Sequence, residues 1–274
     1  KFQEKFYQRL AYDEIFSTFL VNSEIRKKIK KIKKTKKIIN LDKQNKIFSK
    51  LDFTLTNDQK KTLEEINKDL NSSNKMFRLL QGDVGSGKTI VSLLSAFNTV
   101  NSGFQVAFMA PTEILTRQHY LLAKKLFHKD VRIELISGKT SYKDKKDILS
   151  NLSKHKIDII FGTHAIFQKK VEFKKLGLII IDEQHKFGVN QRKKLSDKGG
   201  KNCDILLMTA TPIPRTLTMT IYGDMDLSII HEKPKMRKPI KTYSKLENKI
   251  DDIIKFIKKE INLGNQIFWV CPLI

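Results

Sequence analysis

Gly82-Asp83-Val84-Gly85-Ser86-Gly87-Lys88-Thr89 follows the apolar run that begins at Met76 and opens a stretch with helical character. The spacing GxxxxGK[ST] between a strand and a helix is that of a phosphate-binding loop. Its glycines let successive backbone N–H groups wrap an anion at a helix N-terminus. Lys88 can reach the β and γ phosphates of a nucleotide, and the Thr89 hydroxyl can ligate Mg²⁺. The pattern can arise by chance, and its place between strand and helix is what makes it decide the fold.

Working outward, short β-branched runs alternate with polar helical stretches from Leu51 onward, as in βα units on a parallel sheet. The predicted strands are Met76 to Leu80, Gln105 to Ala110, Arg132 to Ile136, Asp158 to Phe161, Leu178 to Ile181 and Ile205 to Met208. Helices are expected at Asp58 to Leu70, Lys88 to Val100, Glu113 to Phe127, Tyr142 to Leu152 and Asn190 to Asp197. The fold class is therefore α/β, a P-loop domain at 51–233 with helices flanking a parallel sheet. Before it, Ile15, Phe16, Phe19, Leu20, Ile25, Ile29 and Ile32 recur at helical spacing, predicting one long amphipathic helix from Lys1 to about Ile39 within a helical segment 1–50. Its basic half, Arg26 to Lys37, could track a phosphate backbone or be the wet face of a packed helix; the wet face is the preferred reading. A break at Lys233 to Pro239 reads as a hinge. A helix over Glu247 to Leu263 and a strand over Gln266 to Ile274 come next, the expected start of a second, truncated domain at 234–274.

Charge bears on partners. With 53 Lys and Arg against 29 Asp and Glu the net charge is +24, which favours a polyanion such as nucleic acid, although a lysine-rich surface can also be only a solvated one. Cys203 and Cys271 have no CxxC spacing, so neither a disulfide partner nor a zinc cluster is supported. A cytoplasmic setting and no membrane partner are expected, since no run reaches the ~18 apolar residues of a span.

Leu178-Ile179-Ile180-Ile181 reads as a buried strand ending in Asp182 and Glu183, where open α/β sheets place ligands. Asp182 can hold the Mg²⁺ shell and Glu183 can orient and deprotonate the attacking water, which makes Lys88, Asp182 and Glu183 the catalytic candidates. His185 comes next at the proposed γ-phosphate side. Thr209 and Thr211 close another strand, where their hydroxyls could meet His185 and relay nucleotide state. Ala110-Pro111-Thr112-Glu113 and Gly162-Thr163-His164-Ala165 offer hydroxyls and N–H groups for phosphate contacts, or simple N-capping by Thr112 and Thr163. Gln59, one turn into a helix capped by Thr56, could read an adenine edge or face solvent.

Taken together, QGDVGSGKT, APTEIL, GTHAIFQ, IIIDEQHKFGV and LLMTATPIPRTL resemble, in order, the RecG family of bacterial ATP-dependent DNA helicases over about Gln59 to Tyr222. Leu51 to Gln59 resembles the family's Q motif, which adds Gln59 to the ATP-binding set. Arg9 to Phe16 resembles the helix that joins an N-terminal wedge to the motor. The resemblance implies ATP and Mg²⁺ as cofactors, DNA contacts by Pro111, Thr112, Thr163 and His164, and remodelling of branched DNA such as stalled forks and Holliday junctions. A transcription-repair coupling translocase shares TATPIPRT, but Ser86, the DEQH box and the C-terminal FWVCPLI favour RecG. Lys186 departs from the family's usual Arg and keeps its charge. A nucleotide-binding module without turnover remains the alternative for this stretch, because no later segment supplies an arginine finger.

Overall fold

The N-terminal helix stops before its apolar spacing does. In the computed structural model, which describes residues 4–128, 130–168, 170–183, 200–211, 225–233 and 240–271, α1 spans Lys5–Lys31 and the chain then runs extended to Asn40. Lys33 bridges Asn74 in antiparallel fashion. The Lys34 N–H donates to Ser73, that of Lys75 to Ile32 and that of Lys37 to Leu70. The chain leaves the helix where Asp204 draws two of the lysines that follow inward. Lys34 Nζ and Lys37 Nζ each lie 2.6 Å from Asp204 Oδ2, and all three side chains are fully buried. Arg26 and Lys30 pair with Asp226. Lys27, Lys28, Lys31 and Lys36 are exposed, as a wet face requires, whereas the buried Lys34 and Lys37 are anchors and depart from that reading. The apolar positions Leu10, Ile15, Phe16, Phe19 and Leu20 of α1 are exposed.

Asn40 caps α2 (Leu41–Phe48) by accepting from Lys43 N. Thr56 caps α3 (Asn57–Leu70), with Gln59 completing a capping box. Then come β1 (Phe77–Gly82), α4 (Lys88–Asn101), β2 (Gln105–Met109), α5 (Glu113–Phe127), β3 (Ile133–Ile136), α6 (Tyr142–Ser153), β4 (Ile159–Gly162), β5 (Leu176–Ile181), β6 (Asp204–Thr209) and β7 (Asp226–Ile230). The strands form one sheet in the order β3-β4-β2-β5-β6-β1-β7, and every pairing is parallel. All six strands expected between Met76 and Met208 are present, and β7 is an addition. The expected helix at Asn190 to Asp197 lies outside the described residues.

Alternate residues of each strand feed two cores, as the period-2 pleat requires. Leu80, Val106, Phe108, Ile159, Phe161, Leu178, Ile180 and Met208 pack under α3, α4 and α5. Leu79, Ala107, Met109, Ile160, Ile179, Ile181 and Leu207 pack on the other face with Leu152 of α6 and Ile166 of the short 3₁₀ turn after β4. Helices on both faces leave the central strands apolar throughout, which is why they read as continuous runs. Gln44, Asn67 and Asn98 bond one another at 2.9–3.1 Å, a polar link that fixes α2, α3 and α4 together. Arg78 of β1 joins Asp69 and Glu65 of α3 to Ser228 of β7. Burial pushes the Asp69 carboxyl above its ordinary value, and Arg78 opposes this.

The chain divides into two compact units, Lys1–Lys235 and Met236–Ile274. In the second, a 3₁₀ turn at Glu247–Lys249 leads into α7 (Ile250–Asn262), whose first turn carries Asp251 and Asp252 against the helix dipole. Residues 265–271 form no strand, in contrast to the expectation for that part of Gln266 to Ile274; 272–274 lie outside the described residues. An apolar run becomes a strand only when a neighbour takes up its backbone hydrogen bonds.

Candidate functional site

Because all strands run parallel, the loops at their carboxyl ends emerge on one edge of the sheet. The register fixes their order along it. Met109 stands beside both Gly162 and Ile181, Ile181 beside Leu207, and Gln81 beside Thr209. Thr163 and His164 therefore neighbour Pro111 and Thr112 on one flank, and the phosphate loop lies on the other. Asp182 and Glu183 end the strand between them, and Thr209 ends the strand that separates the carboxylates from the loop.

Two local rules build the phosphate loop. Gly87 precedes α4 with φ +93°, a left-handed backbone, and a Cβ there would fall 2.2 Å from Gln59 Nε2; only glycine suits the position. Gln59 is 2% exposed. Its Nε2 donates to Ser86 O at 2.7 Å, and its Oε1 accepts from Thr56 N at 3.0 Å. The side chain is turned away from solvent and ties the capped start of α3 to the loop. The Ser86 hydroxyl is buried with no hydrogen-bond partner among the described residues. Asp83 pairs with Lys233 at 2.7 Å.

Lys88 is buried, and its ammonium donates to the carbonyls of Gly82 at 2.7 Å and Asp83 at 3.0 Å. Burial pulls its pKa below that of an ordinary lysine, while Asp182, Glu183 and Asp83 push it back up. Lys88 follows β1, and Asp182 and Glu183 follow β5, so the loop lysine and both acids stand at the same carboxyl edge of the sheet. Glu183 has φ +51°, a left-handed conformation that a residue with a Cβ adopts only under constraint.

Asp182 is buried and held from three sides. Its N–H donates to Met109 O at 2.9 Å, its Oδ1 accepts from Glu183 N at 3.0 Å, and its Oδ2 meets His119 Nε2 at 2.8 Å. His119 lies two turns into α5, 7% exposed, with its ring 5.0 Å from that of Phe108. The motifs give no hint of His119. A signal was nevertheless present, since it shares with Thr116, Ala123 and Phe127 the buried stripe of α5.

Thr112 does cap α5, accepting from Leu115 N at 3.3 Å. Thr163 makes no side-chain cap bond, and the turn it precedes, His164–Phe167, is a 3₁₀ turn and not an α-helix. Thr112 and His164 are exposed, and Pro111 and Thr163 half-buried. Thr209 is buried and its hydroxyl accepts from Thr211 N at 3.2 Å. His185 and Lys186 lie outside the described residues. Thr89, half-buried on the first turn of α4, and Asp182 are the oxygen donors that could hold a metal. No cluster of three or more His, Cys, Asp or Glu suited to a metal occurs among the described residues. One hydroxyl and one carboxylate fit Mg²⁺, which keeps waters and takes further oxygens from a nucleotide's phosphates.

The family model for the DEAD/DEAH box helicase matches residues 56–220. The chain belongs to the DEAD/DEAH box helicase family. The ATP-dependent DNA helicase RecG of Borreliella burgdorferi is 46% identical over 272 residues, 99% of this chain and 39% of that protein. RecG of Bacillus subtilis is 49% identical over 230 residues, 84% of this chain and 34% of that protein. A solved structure of RecG bound to a three-way DNA junction superposes with TM-score 0.86 at 41% identity, over 97% of this chain and 36% of that one. The resemblance to RecG helicases thus extends from the motifs to nearly the whole chain, and the RecA-like helicase fold with it. The chain spans under two fifths of the length of these relatives.

Proposed function

We propose that the chain carries one half of the ATP site of an ATP-dependent DNA helicase that remodels branched DNA in recombination and repair. The observation that carries this reading is that Lys88, Asp182 and Glu183 all stand at the carboxyl edge of one parallel sheet. ATP would lie with its phosphates on Gly82 to Thr89. There Lys88 exchanges its two carbonyl partners for phosphate oxygens, and the Ser86 hydroxyl and loop N–H groups add donors. Thr89 and Asp182 would hold Mg²⁺, which supplies charge neutralisation at the phosphates when bound. Glu183 orients and deprotonates the attacking water. Gln59 acts on the nucleotide through the loop it braces. Thr209, Thr211 and His185 would pass nucleotide state to the rest of the motor.

Pro111, Thr112, Thr163 and His164 form the DNA-facing flank in this reading, supported by their adjacency on β2 and β4 and by the +24 charge. Residues 1–50 would join the motor at 51–233 to a preceding domain, and 234–274 would begin a second RecA-like domain. The free thiols of Cys203 and Cys271 suit a cytoplasmic setting. No helix among the described residues is long and apolar enough to cross a membrane. The test is steady-state ATPase of the full-length protein with three-way junction, duplex and single-stranded DNA, and with RNA. Strongest stimulation by the junction is expected. Preferential stimulation by RNA overturns the reading.

A further inference from the structure

We infer that His119 is a positioning residue for the metal-holding carboxylate, fixing Asp182 through the Nε2–Oδ2 hydrogen bond. The inference rests on the ATP and Mg²⁺ reading above. A carboxylate offers about four acceptor sites on two oxygens. Here one site on each oxygen is taken by the protein, Oδ1 by the Glu183 N–H and Oδ2 by the imidazole. In its Nε2–H tautomer the imidazole donates to Oδ2. The two donors come from different segments, the residue after β5 and the second turn of α5, and between them they fix rotation about the last side-chain bond. One acceptor site on each oxygen is left for the metal's shell.

The surroundings argue against a merely space-filling imidazole. His119 is 7% exposed and packed on Phe108. An apolar side chain would fill that space as well, but it would leave Oδ2 buried without its donor. Asp182 would then be free to turn toward Lys88, the buried cation that already feels its charge. Such a turn would withdraw the carboxylate from the metal. Partners that orient a metal-holding group typically account for 10–100-fold in metal affinity.

The experiment titrates Mg²⁺ into the full-length protein with a fluorescent ATP analogue and reads the midpoint of Mg²⁺-dependent binding beside the affinity in excess EDTA. His119→Leu should raise the Mg²⁺ midpoint about 10–100-fold, with metal-free affinity within about threefold of the parent. His119→Gln, which places an amide N–H near the reach of Nε2, should restore the midpoint to within a few fold. A loss of packing alone would lower melting temperature in both variants and leave the midpoint in place. An unchanged midpoint in folded His119→Leu overturns the inference. Should the leucine variant fail to fold, His119→Asn takes its place, since its shorter amide falls short of Oδ2; equal midpoints for Asn and Gln then overturn it. Absence of Mg²⁺-dependent binding in the parent overturns the ATP and Mg²⁺ reading and this inference with it.

Discussion

Replacing Asp204 by Asn removes the one negative charge that two buried ammonium groups share. Lys34 and Lys37 would keep their second bonds, to the Asp69 carbonyl at 2.9 Å and the Asn202 carbonyl at 3.0 Å. Lys37 would also keep the face of Phe104, with Nζ 4.8 Å from the ring centre. Neither carbonyl nor ring supplies a full counter-charge. Breaking a buried ion pair from one side costs about 3–5 kcal/mol, which for a unit of this size corresponds to a melting point lower by roughly 6–20 °C. The loss should depend on pH with a defined sign. In the parent, burial already lowers the Lys34 pKa while Asp204 opposes that shift; without the carboxylate it falls further. A lysine whose folded pKa lies below its unfolded value of about 10.4 binds fewer protons when folded, so stability rises with pH between the two values. The deficit of Asp204→Asn should therefore be largest near neutrality and shrink as pH is raised toward 10. Urea unfolding of this chain, followed by circular dichroism at several pH values, measures both. A deficit below about 1 kcal/mol, or one that is flat from pH 7 to 10, would refute the counter-charge role.

Three further outcomes are expected. Lys88→Met should weaken ATP binding by about 10–100-fold through loss of a charge-assisted hydrogen bond, with a melting temperature equal to or above the parent's because burial of the ammonium is relieved; isothermal titration and calorimetry check the pair. Glu183→Gln should lower single-turnover hydrolysis about 10²–10⁴-fold at unchanged ATP affinity, and a parent-like rate would remove Glu183 from the role of base. Gly87→Ala must place a Cβ in left-handed backbone against Gln59 Nε2, so ATP affinity should fall and the melting temperature drop by about 2–8 °C at 1–2 kcal/mol; a gain in stability would show that the loop is held otherwise.

How much could be read in advance depends on how local each cause is. The phosphate loop and the strand into Asp182 are local patterns: glycine spacing and an unbroken apolar run carry their own explanation. β7 was missed because Asp226–Ile230 is only partly buried at the sheet edge, so its five residues lack the apolar continuity of Leu176–Ile181. The end of α1 at Lys31 is set by a carboxylate some 170 positions later in the chain, a cause that no window of sequence around the lysines contains. Isoleucine spacing goes on past the true end for that reason. Gln59 and His119 share this character. Their neighbours along the chain explain a capping box and a buried helix stripe, and only the folded sheet sets one beside Ser86 and the other beside Asp182.

The anchoring of α1 has a mechanical corollary. At 1.5 Å per residue its 27 residues make a rod about 40 Å long, and the ion pairs that fasten it lie at its root: Arg26 and Lys30 on Asp226, then Lys34 and Lys37 on Asp204. Asp204 opens β6 and Asp226 opens β7, the strands on either side of β1. A torque applied near Phe6 would therefore enter the sheet at the amino ends of the strands flanking β1, the opposite edge from the phosphate loop. A beam clamped in this way transmits its bending moment through its base, where four basic side chains, two carboxylates and the backbone bridge at Lys33 and Asn74 hold it.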